Sequence, residues 1–174
     1  MKALITSALI LAAGAANADC VTLDEAFEVC DLEGTTDAGV EDNFYFMQVG
    51  IMEIGENFDQ DAVRIHGVGL PVMDGIATEM DVLGQEAYSF TSMRPNTQVF
   101  EILDAQKLDC AAPSRVIAYR TDGLMAVYTI YTIQDRYVLF MSNGANGDTP
   151  LAEHDQLISQ FGDRNGLRKD CDIG

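Results

Sequence analysis

Arg115–Met141, RVIAYRTDGLMAVYTIYTIQDRYVLFM, is the stretch that decides the fold class. Val116–Arg120 is rich in branched and aromatic residues and reads as a strand. Thr121-Asp122-Gly123 reads as a tight turn, because Gly123 can take a positive φ without steric cost. Leu124–Ile133 is a long strand, Gln134-Asp135 a short connection, and Arg136–Met141 the returning strand. On the middle strand Leu124, Ala126, Tyr128 and Ile130 point one way, and Met125, Val127, Tyr131 and Ile133 the other. Both sets are apolar, so the pattern predicts a sheet covered on much of both sides. Ser142–Pro150 follows as a Gly/Asn loop. Leu151–Phe161 then reads as a helix with Leu151, Leu157, Ile158 and Phe161 inward.

Upstream, the patterns change. Thr22 and Glu25 have the spacing of a capping box, and Leu23, Ala26, Phe27 and Cys30 recur at helical intervals, so Thr22–Cys30 is expected to be a helix. Asn43–Ile54 is dense in aromatic and branched residues and reads as a long central strand. Between Gln60 and Leu83 the glycines and Pro71 interrupt the pattern, which allows short helices near Asp61–His66 and Gly75–Leu83. Glu86–Phe90 reads as a short strand, Arg94-Pro95-Asn96 as a turn, and Thr97–Leu103 as a strand. Together these elements predict an α+β fold. It would be an antiparallel sheet of about five strands, including a C-terminal three-strand meander, with N- and C-terminal helices packed on one face. In outline this is similar to small exported α+β domains that serve as accessory or binding modules. No motif supports that likeness, and fold alone does not assign function.

Compartment is read from the other end of the chain. Met1-Lys2, the apolar run Ala3–Ala16 and the small-x-small site Ala16-Asn17-Ala18 are the three parts of a secretory leader. The apolar run falls short of the ~20 residues that span a bilayer. Asp19, not a small residue, precedes Cys20, which argues against lipid attachment there. The expected product begins at Asp19 as one domain, Asp19–Gly174, in the periplasm or outside the cell.

Cys20, Cys30, Cys110 and Cys171 form an even set, which implies two disulfides in an exported chain. No C-x-x-C spacing suggests a redox or zinc motif. A helix over Thr22–Cys30 would hold Cys20 and Cys30 about 15 Å apart, beyond the ~7 Å Cα separation that a disulfide tolerates. The preferred pairing is therefore Cys20–Cys171 with Cys30–Cys110. A shorter first helix would favour Cys20–Cys30 with Cys110–Cys171.

The net charge is −18. Nucleic-acid binding and docking on anionic lipid are disfavoured, since both need clustered Lys and Arg. The 13 acidic residues between Asp19 and Val63 face no Lys or Arg in that stretch, whereas all the basic residues of the expected mature chain lie beyond it. The asymmetry reads either as solubility or as an acidic docking face for a cation or basic partner, with Asp37, Glu41, Asp42, Glu53 and Glu56 as its candidates. His66 and His154 are distant in sequence and read as surface or structural residues. No G-x-S-x-G, phosphate-binding loop or EF-hand frame is present. Asp163-Arg164-Asn165-Gly166 and Asn143–Asp148 read as turns. The absence of Trp weakens a carbohydrate-binding reading. The leading expectation is a non-enzymatic binding or accessory module for a protein or small ligand, without a cofactor. The alternatives are an inhibitor or sequestering protein for a cationic target, and a carboxylate- or calcium-dependent hydrolase.

Overall fold

The structure, a computed structural model, describes residues 19–50, 63–71, 78–92, 99–104, 114–120 and 122–167, with the backbone alone for 91, 92 and 99–104. It is α+β, as the alternation of the meander predicts. The main sheet has seven antiparallel strands rather than about five, in the order β3-β4-β5-β9-β8-β7-β6. These are β3 Thr35–Glu41, β4 Phe44–Val49, β5 Arg64–Gly69, β6 Val99–Asp104, β7 Ser114–Tyr119, β8 Leu124–Ile133 and β9 Arg136–Ala145. β1 Cys20–Leu23 and β2 Phe27–Cys30 form a separate hairpin, and the helices are α1 Glu79–Ser92 and α2 Asp148–Arg164.

The meander and its continuous apolar pattern hold at β7, β8 and β9. β9 runs on through Ser142–Ala145, where a loop was expected, because Asn143 and Ala145 stay in register with Ala126 and Leu124. The helices do not share a face. α1 buries Val82, Leu83, Ala87 and Phe90 with Val116, Ala126, Tyr128 and Ile130. α2 buries Leu157, Ile158 and Phe161 with Tyr131, Ile133, Val138 and Phe140 on the other side. Two apolar faces on one strand each require a cover, and each helix supplies one.

The expected N-terminal helix is a β-hairpin. Asp24 and Glu25 take positive φ, at 47° and 54°, and reverse the chain between Leu23 and Phe27. A two-residue left-handed turn of this kind suits Asp and matches the twist of a hairpin. Leu23, Phe27 and Val29 are buried together, which is alternation rather than helical spacing. A nine-residue helix is marginal by itself, and β-branched Val21, Thr22 and Val29 favour the strand. The hairpin docks on α2. Phe27 meets Phe161 with ring centroids 5.6 Å apart. At the end of α2 the Asn165 amide accepts from the Glu28 N–H at 2.8 Å and donates to the Glu28 carbonyl at 2.9 Å.

Three further expectations change. Asp61–His66 was read as a helix, but residues 64–66 belong to β5, and 61 and 62 lie outside the described residues. Glycines in this strand admit a close neighbour: the Phe44 ring lies where Cβ atoms of Gly67 and Gly69 would sit, at 2.4 and 1.9 Å. Glu86–Phe90, read as a strand, lies inside α1. That helix starts at Thr78, whose hydroxyl accepts from the Asp81 N–H at 3.3 Å and donates to the Asp81 carboxylate at 2.8 Å. The turn Arg94-Pro95-Asn96 and residues 51–54 of the expected strand Asn43–Ile54 lie outside the described residues; β4 itself is flanked by β3 and β5, hence central.

Cys20 and Cys30 are directly paired across the hairpin and joined by a disulfide, which overturns the preferred pairing Cys20–Cys171 with Cys30–Cys110. The helix that would have kept them apart does not exist. Cys110 and Cys171 lie outside the described residues. Digestion with a Glu-specific protease, which cuts between the two residues at Glu25 and Glu28, should release Cys20 and Cys30 as one linked species without reductant. Cys20 linked to Cys171 would contradict the hairpin. Replacing both Cys20 and Cys30 by Ala should cost about 2–3 kcal/mol in urea unfolding, as the closed loop is short.

Candidate functional site

Two features stand out, one on each face of the sheet. Beneath α2 lies a continuous chain of buried polar side chains. Four strands and the helix supply it: Arg64 and His66 from β5, Ser142 from β9, Thr129 from β8, Arg115 from β7, and Glu153, His154 and Asp155 from α2. His66, Thr129, Ser142 and His154 have no solvent exposure. The β5–β9 register sets His66 beside Ser142, and one turn of α2 aims Glu153, His154 and Asp155 across three adjoining strands.

Each link has hydrogen-bond geometry. Arg64 Nε donates to Glu153 Oε2 at 2.6 Å, and His66 Nε2 lies 3.0 Å from the same oxygen. Ser142 Oγ is 2.8 Å from His66 Nδ1 and 2.8 Å from His154 Nδ1. His154 Nε2 is 2.8 Å from Thr129 Oγ1, which accepts from Arg115 Nε at 3.0 Å. Arg115 also pairs with Asp155.

Counting donors fixes the protons. The Glu153 carboxylate accepts only, so His66 carries its proton on Nε2. Neutral His66 then has a bare Nδ1, which must accept the Ser142 hydroxyl proton. Ser142 therefore accepts from His154 Nδ1–H, and the bare His154 Nε2 accepts the Thr129 hydroxyl proton. Arg115, which only donates, completes the chain at Thr129. Every bond runs one way, from Arg115 to Glu153.

Burial explains why both rings are neutral. Desolvation lowers the pKa of His66, opposed in part by Glu153. Burial lowers that of His154 well below the ordinary value, and the Arg115 and His66 charges act in the same direction. Serine and histidine in contact resemble a nucleophile and base, but Ser142 is wholly buried and its proton already has an acceptor. The arrangement fixes α2 on the sheet and offers no approach to a substrate.

The opposite face is open beside α1. A cavity of about 770 Å³ lies between α1 and the β3–β4–β5–β9 half of the sheet. Phe46, Ile65, Tyr128, Met141 and Phe90 give it an apolar lining, and Glu86 and Arg120 add polar groups. The Arg120 side chain is 9% exposed, bonds Asp122 through Nη2 at 2.5 Å, and lies over the Phe90 ring at 5.2 Å. Its Nε is buried with no hydrogen-bond partner, alone in this among the described buried side-chain atoms. Burial raises the Glu86 pKa.

Of the acidic docking candidates, Asp37 and Glu41 lie exposed on the edge strand β3 and line the same cavity. Asp42 occupies the β3–β4 turn at φ 45°. Glu53 and Glu56 lie outside the described residues. Charges on an edge strand also guard it against pairing with other chains. His66 and His154 are structural and adjoin one hydroxyl, although neither is on the surface. Cys20, Glu28 and Cys30 have ligand atoms within 4.8 Å of one another, but the disulfide leaves no thiolate for a metal. The sequence reading missed Ser142, Thr129, Arg115 and Arg120. The T-x-x-D of Thr78–Asp81 could have located α1, and hence one wall of the cavity.

No family model matches the chain, and no curated protein matches it. Among solved structures it is similar to a mutant of the protein Mog1, at 13% identity and a TM-score of 0.47, covering 86% of this chain and 93% of that one. It is also similar to PA94, a protein of unknown function from Pseudomonas aeruginosa, at 12% identity and a TM-score of 0.39, covering 87% and 96%.

The buried chain makes two measurable demands. Ser142→Ala removes the partner of both Nδ1 atoms and should destabilise by about 2–5 kcal/mol, since each orphaned buried group costs about 1–3 kcal/mol. Stability should also fall with acid. Both histidines have folded pKa values below the unfolded value of about 6.5. Above pH ~6.5 neither state takes up protons there and the two residues contribute a constant amount. Below it the unfolded chain binds protons that the native one refuses, at up to about 1.4 kcal/mol per pH unit per histidine, until the folded pKa is reached. Urea midpoints between pH 7.5 and 5.5 should drop accordingly; a flat profile would contradict neutral buried rings.

Proposed function

We propose that the chain is an exported, non-enzymatic binding module that takes a small, largely apolar ligand in the cavity beside α1. Arg120 carries the reading. A buried N–H without an acceptor costs about 1–3 kcal/mol, and a bound acceptor would recover that cost. The cavity volume falls in the range of small-molecule sites, which combine apolar walls with few polar groups. Export is supported by the leader pattern of residues 1–18 and by the Cys20–Cys30 disulfide, a bond that persists in oxidising compartments.

The neutral solvatochromic dye Nile red tests this directly. It should bind with enhanced, blue-shifted emission. Gly39→Trp should abolish binding without lowering Tm. Gly39 pairs with Phe46 and so shares its face, it lines the cavity, and a Cβ there would meet nothing within 4 Å. Saturation at 100 times Kd should add about 2.7 kcal/mol of stability. Binding should be insensitive to salt, whereas a cationic partner docked on Asp37 and Glu41 would be released by it. No dye binding, or binding unchanged by Gly39→Trp, would overturn the reading.

A further inference from the structure

Resting on the cavity as a binding site, we infer that its ligand class is an uncharged carbonyl-bearing amphiphile, such as an acyl amide, whose carbonyl oxygen accepts from Arg120 Nε. The donor is specific. Arg120 Nη2 is already engaged by Asp122, and the guanidinium plane is held over Phe90, so Nε–H is the atom left for a ligand. An acceptor is therefore required at that point.

Charge then selects among acceptors. Arg120 is neutralised by Asp122, while Asp37, Glu41 and Glu86 line the same cavity. A carboxylate head would enter a site with an excess of negative charge and lose its hydration. An ammonium head would be attracted by the carboxylates, but it has no lone pair to offer Nε–H. A neutral carbonyl satisfies the donor and brings no charge. An amide adds an N–H, and Glu86 is the acceptor available in the same lining. The apolar walls formed by Phe46, Tyr128 and Met141 take the rest of the molecule.

The test is displacement of Nile red by octanamide, octanoate and octylammonium, which share a tail length and differ in head group. Octanamide should displace the dye at about tenfold lower concentration than either ion, as expected for one buried hydrogen bond without a charge penalty. Arg120→Lys keeps a cation beside Asp122 and removes the Nε–H. It should bring octanamide to within about twofold of the ions while the dye still binds. Arg120→Met, checked for folding by its thermal transition, should do the same. If the dye binds but octanoate or octylammonium displaces it as well as octanamide does, the ligand class is overturned and the cavity reading stands. Octanamide preference that survives both substitutions would overturn the role of Arg120. If Nile red does not bind wild-type protein at all, the cavity reading itself fails.

Discussion

Arg115 can only donate hydrogen bonds and the Glu153 carboxylate can only accept them, and everything between these two side chains follows from that polarity. Thr129, His154, Ser142 and His66 each pass one proton in the same direction, with no exposure to water. Buried polar groups are costly when any partner is missing, so the chain tolerates one arrangement of four strands and a helix. A one-residue slip of β5 against β9 would turn His66 to the other face and orphan Ser142. The network thus fixes register where apolar packing alone would accept neighbouring alternatives.

That constraint assigns the two faces of the sheet. α2 sits over the polar chain and the adjoining core of Tyr131, Phe140 and Phe161, whose edge-to-face rings lock the helix laterally. The opposite face is covered by α1 only over β7 and β8 among the described residues, with the Phe44 ring lying on the glycines of β5. The space between α1 and β3–β4 is bounded by Arg120, positioned by the tight turn at Gly123. A rigid, satisfied face and an open, incompletely satisfied one are the division expected of a scaffold that presents a binding site.

Legibility followed the range of the forces. The meander was readable because ten-residue strands with apolar residues on both faces leave few alternatives, and the turn at Gly123 is local. The leading segment misled because Thr22, Glu25, Leu23, Phe27 and Cys30 satisfy a helical template as well as a hairpin. The left-handed turn at Asp24-Glu25 and packing against Phe161 decide the matter, and both act beyond the pattern. The disulfide was misassigned for the same reason. The polar chain was illegible: His66 and Ser142 are 76 positions apart and meet only through the β5–β9 register. Arg120 carried no signal at all, because an unpaired atom is defined by its surroundings.

The most direct measurement of the account is the tautomeric state of the two buried imidazoles, read from long-range proton–nitrogen correlation spectra of nitrogen-15-labelled protein at pH 7.5. The one-way chain predicts slowly exchanging protons on His66 Nε2 and on His154 Nδ1, with His66 Nδ1 and His154 Nε2 bare. A proton on His154 Nε2, a charged ring at either position, or rapid averaging between tautomers would contradict it.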